Sequence, residues 1–152
     1  MDITRKIIWF TGQPGSGKTT LSNALQKRLK NTHPTISVIS VDGDDLRDIL
    51  VNKDYSENGR RLNIQTAINI TKFLQSKGNL VIASLVSPYR DLRENLKKER
   101  ETLEIFLYTD QKRGKENFFV DNYEMPSKNY LKLNTGKLNI EECVDEILSF
   151  YW

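Results

Sequence analysis

At 152 residues, with 38% hydrophobic and 28% charged residues, the chain has the length and composition of one globular domain spanning 1–152, which excludes a disordered chain. No apolar run approaches the ~20 residues of a bilayer span, and residues 1–6 lack a signal peptide's apolar stretch and cleavage site, so no membrane partner and a cytoplasmic location are expected. The excess of 23 Lys and Arg over 20 Asp and Glu gives +3, too small and scattered to point to nucleic acid and equally suited to a small anionic ligand.

The first strand is predicted at 6–11. It runs into Gly12-Gln13-Pro14-Gly15-Ser16-Gly17-Lys18-Thr19, which satisfies the phosphate-binding pattern G-x-x-x-x-G-K-[ST]. Glycines in such a loop let backbone N–H groups turn inward around phosphates, Lys18 reaches the β and γ oxygens, and Thr19 supplies a hydroxyl to Mg²⁺. The helix that follows, 20–29, carries Leu21, Leu25 and Leu29 on one face and points its positive end at the same anion. ATP and Mg²⁺ are therefore the expected cofactors, held by Gly12, Pro14, Gly15, Ser16, Gly17, Lys18, Thr19 and Thr20. His33, before Pro34 in a turn, reads as a surface residue.

A second strand, 37–41, ends in Asp42-Gly43-Asp44-Asp45-Leu46-Arg47. Carboxylates at a strand's carboxyl end sit where open α/β sheets bind ligands. One can hold Mg²⁺ through its water shell and another can accept the proton of an attacking hydroxyl; the alternative is that Asp42 or Asp44 caps a helix. Ile64, Ile68 and Leu74 mark a further helix face, and strands follow at 79–85, 103–108 and 130–133. Between the last two lies 110–128, a stretch without period whose length in a compact domain points to function. Asn139 is placed to cap a last helix with Ile140, Val144, Ile147 and Leu148 on its apolar side. Cys143, the single cysteine, belongs to that pattern and reads as a buried structural thiol. Strands alternating with helical stretches make this an α/β fold, a five-stranded parallel sheet flanked by helices, as in the P-loop kinases.

Several segments in the right order resemble the adenylylsulfate (APS) kinases, which phosphorylate the 3′-hydroxyl of adenylyl sulfate with ATP. After the loop and the D-G-D-x-L-R stretch, Tyr55-Ser56-Glu57-Asn58-Gly59-Arg60-Arg61-Leu62-Asn63 is similar to the family's aromatic-S-x-x-x-R-x-x-N segment, and Ser87-Pro88-Tyr89-Arg90, followed by Arg93, to its S-P-Y-R-x-x-R segment. The resemblance implies that Arg60 and Asn63 contact the acceptor nucleotide. Asp42, Asp44, Arg47, Tyr55, Ser87, Pro88, Tyr89, Arg90 and Phe118 join them, with Thr19 and Asp42 toward the metal and Asp44 as the catalytic carboxylate beside Lys18. Tyr55 stands where phenylalanine is usual, and either stacks on a base for about 1–3 kcal/mol or packs under its loop.

The family's long lid, rich in arginine and lysine, is cut short. Only Tyr123-Glu124-Met125-Pro126 resembles its end, leaving Lys112, Arg113 and Lys115 to supply charge and Phe118 or Phe119 to cover a base. An arginine on the transferring phosphoryl is worth about 10³ to 10⁵ in rate, and Arg113 is the candidate for that catalytic role. Three functions stay open: a kinase acting on adenylyl sulfate, one acting on another nucleotide conjugate such as cytidine diphosphoramidate in capsule modification, or a non-catalytic nucleotide-binding module. A homodimer is compatible with all three. No guanine-reading N-K-x-D segment occurs.

Overall fold

The computed structural model describes residues 6–151; the signal-peptide reading of residues 1–5 falls outside them. Five strands, β1 (Ile7–Thr11), β2 (Val38–Asp42), β3 (Leu80–Ser84), β4 (Thr102–Tyr108) and β5 (Tyr130–Asn134), lie within a residue or two of their expected places. All pair in parallel, in the order β2-β3-β1-β4-β5. Parallel pairing forces crossovers, made by the helices α1 (Lys18–Thr32), α2 (Gly43–Leu50), α3 (Glu57–Ser76) and α4 (Arg90–Glu99) and, between β4 and β5, by an irregular segment; α5 (Ile140–Tyr151) follows the last strand.

Because successive strand side chains alternate between faces, the sheet builds two cores. Ile8 and Phe10 of β1, Leu80 and Ile82 of β3, and Leu103, Ile105 and Leu107 of β4 meet Leu21, Leu25 and Leu29 of α1 and Cys143, Val144 and Ile147 of α5. On the other face Ile7, Trp9, Val81 and Ala83 meet Ile64, Ala67 and Ile68 of α3 and Leu96 of α4. Each large side chain so buried contributes about 1.5–3 kcal/mol. Cys143 is a buried thiol, as expected, and burial pushes its pKa up.

Three expectations change. Ile140 is 45% exposed, because as the first residue of α5 it stands at the open end of the helix, one step beyond the seam of Cys143, Val144 and Ile147. His33, expected at the surface, is half-buried where it ends α1, with its N–H on the Leu29 carbonyl and its ring Nδ1 2.8 Å from the Thr32 hydroxyl. Helices α2 and α4 appear where no helical period was read. Helix α2 has no fully buried residue, and in α4 one of the two buried positions is Arg93, so neither writes an apolar stripe. The capping expectation for Asn139 holds: its Oδ1 accepts the Glu142 N–H, and its own N–H is bound by Glu142 Oε1. Among the described residues no helix is long and apolar enough to cross a membrane.

All five strands run the same way, so Thr11, Asp42, Ser84, Tyr108 and Asn134 end on one edge. From β1 the chain goes to β2 on one side, and from β3 it passes to β4 on the other, so that edge holds the topological switch point.

Candidate active site

At this edge the chain after β1 turns tightly through three glycines with positive φ, Gly12, Gly15 and Gly17. At Gly12 a side chain has no room: a Cβ would stand 2.4 Å from the Leu107 carbonyl oxygen. Lys18 curls back over the loop, its Nζ donating to the carbonyls of Gly12 (2.9 Å) and Gln13 (3.0 Å). Burial pulls its pKa down to about 8, against the opposing pull of Asp44 and Asp42. The next residue, Thr19, donates from Oγ1 to Asp42 Oδ2 at 2.9 Å. The other oxygen of Asp42 accepts the Asp44 N–H and so caps α2. Capping therefore falls to Asp42, and the exposed Asp44 carboxylate is left free of that duty.

A cavity of about 1210 Å³ opens over the loop, larger than the ~300–1,000 Å³ of a pocket for one drug-sized ligand. Pro14, Gly15, Gly17, Lys18, Thr19 and Thr20 line one part, with Leu138, Ile140 and Cys143 extending it. Arg47, Tyr55, Arg60, Asn63, Ser87 and Pro88 line another, and Asp42, Asp44, Arg113 and Phe118 complete the wall. Two predicted loop residues lie beneath: Gly12, wedged against β4, and the buried Ser16.

The acceptor residues divide. Arg47 lays its guanidinium over the Tyr55 ring, 4.7 Å from the centroid, and Tyr55 is 63% exposed, so it does not pack under its loop. Arg47 Nη1, Asn63 Nδ2 and Ser84 Oγ are buried with no hydrogen-bond partner, and all three residues line the cavity. An orphaned buried donor costs about 1–3 kcal/mol, which a ligand atom would relieve. Ser87, with φ 39°, spends its hydroxyl on the Trp9 indole N–H and on Thr11. Tyr89 and Arg90 do not line the cavity. Tyr89 is buried under the Arg61 guanidinium in the core beside α3, and Arg90 Nε donates to the Met125 carbonyl, so the one serves the core and the other the lid's end.

The lid segment, between Asp110 and Lys128, forms only a 3₁₀ turn at Glu116–Phe118, yet it is tied down at three places. Gln13 makes a reciprocal pair with Val120, Nε2 to the carbonyl (2.9 Å) and Oε1 from the N–H (2.8 Å). Arg113 donates to the carbonyls of Gly15 and Thr135, and Thr135 Oγ1 donates to the Ser16 carbonyl. At the far end Tyr123 shares a 2.7 Å hydrogen bond with Thr11, and burial pushes its phenol up to about 12. Beneath it Arg93, 1% exposed, pairs with Glu104 and reaches the carbonyls of Ser87 and Glu124. Gln13, Thr135 and Tyr123 escaped the sequence reading. Only Tyr123, in its Y-E-x-P segment, carried a signal.

A parallel sheet whose first strand feeds a phosphate loop and helix, with a Thr and Asp pair beside the loop lysine, defines a P-loop kinase. Comparison with known proteins narrows the class. The family model of adenylylsulphate kinase matches residues 4–136. The adenylyl-sulfate kinase of Prochlorococcus marinus is 34% identical over 165 aligned positions, covering 94% of this chain and 81% of the relative; that of Bacillus velezensis is 33% identical, covering 95% and 83%. The solved Mycobacterium tuberculosis APS kinase CysC in complex with AMPPNP and APS has the same fold, with a TM-score of 0.83 at 24% identity over 96% of each chain. The chain belongs to the adenylylsulphate kinase family. Since 165 aligned positions exceed the 152 residues of the chain, the Prochlorococcus relative carries residues that this chain lacks.

Proposed function

We propose that this protein transfers the γ-phosphoryl group of ATP to the 3′-hydroxyl of adenylyl sulfate. The observation that carries the reading is the pair of buried, unpartnered donors Arg47 Nη1 and Asn63 Nδ2 in the same cavity as the Lys18 loop. They suit a ligand rich in acceptor atoms, as a sulfonucleotide is, and the relatives quoted above are named for that acceptor.

The glycine loop before Lys18 and the amino end of α1 suit the phosphates of ATP. The Thr19 hydroxyl and Asp42 carboxylate are the hard oxygen donors that Mg²⁺ takes, and the ion, when bound, offsets charge on the β- and γ-phosphates. Lys18 leaves its own loop carbonyls for the phosphate oxygens. The acceptor hydroxyl oxygen forms the new bond to phosphorus, the bond from phosphorus to the β–γ bridging oxygen breaks, and ADP departs. Asp44, free of capping, takes the hydroxyl proton.

A second acceptor class is favoured by the exposed Tyr55 and the short lid, since stacking tolerates any base. ADP release at saturating ATP and Mg²⁺ is therefore measured with adenylyl sulfate, cytidine diphosphoramidate and nucleoside monophosphates. Adenylyl sulfate is expected to turn over fastest, and Asp44→Asn to lose turnover while still binding ATP. Background rates with adenylyl sulfate beside turnover of another conjugate sink the named acceptor, and background rates with all leave a binding module.

A further inference from the structure

The connection 51–56 between α2 and α3 is built from side chains that mimic backbone. Its first residue, Val51, is β-branched yet holds φ 52°, a conformation rare for such a residue. Beyond it, Asp54 N–H donates to Asn52 Oδ1 at 2.9 Å, Ser56 N–H to Asp54 Oδ1 at 2.9 Å, and Gly59 N–H to the Ser56 hydroxyl that caps α3. The turn is pressed onto the helix it starts: a Cβ on Gly59 would stand 2.3 Å from the Asp54 carbonyl oxygen.

In this setting the polarity of two amides is dictated by backbone groups whose roles cannot change. The Asp54 N–H can only donate, so the atom of Asn52 that faces it is the oxygen. That leaves the Asn52 NH₂ facing the Gly59 carbonyl, which can only accept, at 3.3 Å. The same NH₂ meets Asn63 at 2.8 Å, so Asn63 must present its oxygen there. Its own NH₂ then remains on the other side, in a residue 9% exposed that lines the cavity, and that Nδ2 has no partner.

We infer that Asn52 is a positioning residue for acceptor recognition: it fixes the Asn63 amide so that a donor, never an acceptor, faces the ligand. The acceptor molecule therefore places a lone-pair atom, a ring nitrogen or an ester, phosphate or sulfate oxygen, against Asn63. This rests on the reading of that part of the cavity as the acceptor site, but not on which conjugate occupies it.

The test is a double-mutant cycle run with whichever conjugate the native enzyme turns over. In Asn52→Asp the new carboxylate still accepts from Asp54 but repels the Asn63 oxygen, so Asn63 turns its NH₂ inward and its carbonyl toward the ligand. The KM for the acceptor is expected to rise about tenfold to a hundredfold, the cost of a lost buried hydrogen bond, with the KM for ATP unchanged. Asn52→Ala, which frees Asn63 to take either orientation, is expected to give a smaller rise. In an Asn63→Ala background Asn52→Asp is expected to add nothing, because its effect passes through Asn63. Additive effects, or a matching rise in the KM for ATP, overturn the proposal. In the nucleotide-free protein labelled with ¹⁵N, an Asn63 side-chain amide proton is expected to move downfield in Asn52→Asp as it meets a carboxylate. An unmoved resonance overturns the proposal whatever acceptor the enzyme takes, whereas failure of adenylyl sulfate alone in the activity panel touches only the named substrate.

Discussion

Lys18 is drawn by two opposing influences. Desolvation lowers its pKa from 10.5 to about 8, the larger effect, while Asp44 and Asp42 hold it up. Below pH 8 the folded and unfolded chains both carry the proton, and the cost of burying the ammonium is present in full. Between about 8 and 10.5 the unfolded chain keeps a proton that the folded one has released, so stability owed to Lys18 rises with pH over that window. Phosphate oxygens favour the charged form, so ATP binding in the same window should draw a proton from solvent. Calorimetric titration in two buffers of different ionisation enthalpy is expected to show uptake between pH 8 and 10 in the native protein and none in Lys18→Ala. That variant should also lose turnover with its fold intact, since phosphoryl transfer depends on charge held at the phosphates. Equal proton uptake in both proteins would assign the titration to another group.

At the scale of elements, the lid is where sequence reading and structure part company. Its shortness was legible from the missing basic arm. Its attachments were not, because the groups that make them are chemically ordinary and distant in sequence: Gln13 meets Val120 across 107 positions, and Arg113 meets Gly15 across 98. The same holds for α4, whose inward position is taken by Arg93 against Glu104. A charged residue breaks the apolar period from which helices are read, and no local rule announces that its partner lies on the adjoining strand. The strands, the phosphate loop and the acidic run from Asp42 were legible because each is written in contiguous residues, whereas the bond from Thr19 to Asp42, across 23 positions, was not. With the arm gone, the Gln13 and Val120 pair is a strap between lid and loop that two hydrogen bonds maintain. Gln13→Ala removes both and is expected to raise the KM for both nucleotides several-fold while leaving the melting temperature within a few degrees. Arg113→Ala, which unties the lid from Gly15 and Thr135, is expected to slow phosphoryl transfer with little change in ATP affinity, as read by single-turnover kinetics. If both variants transfer at the native rate and affinity, the lid has no part in catalysis.

For the molecule as a whole, the parallel sheet separates stability from chemistry. The two apolar cores lie on its faces, while the phosphate loop, the start of α2, the segment after β3, the lid and Thr135 gather on the edge where the strands end. Among the described residues, the opposite edge holds the connections into the strands, near residues 33–37, 77–79, 100–101 and 127–129. A ligand in the cavity touches the first edge and, at Arg113, Thr135 and Val120, two of the three anchors of the lid, so its binding should order that edge without altering the core. Hydrogen exchange with and without a non-hydrolysable ATP analogue tests this. Protection is expected to rise at residues 13–19, 43–47 and 111–123, where local opening disrupts the site, and to stay unchanged at those connections of the opposite edge that open without disturbing it. The magnitude follows from linkage: ligand at a hundred times its Kd adds about 2.7 kcal/mol to every opening that must release it, which includes local opening at the site and the global unfolding through which β1 and β3 exchange. Addition of the acceptor should then extend protection to residues 52–63, where Asn52 and Asn63 meet. Unchanged protection at residues 111–123 would mean that the lid opens without releasing the nucleotide, and the lid would then have no part in holding it.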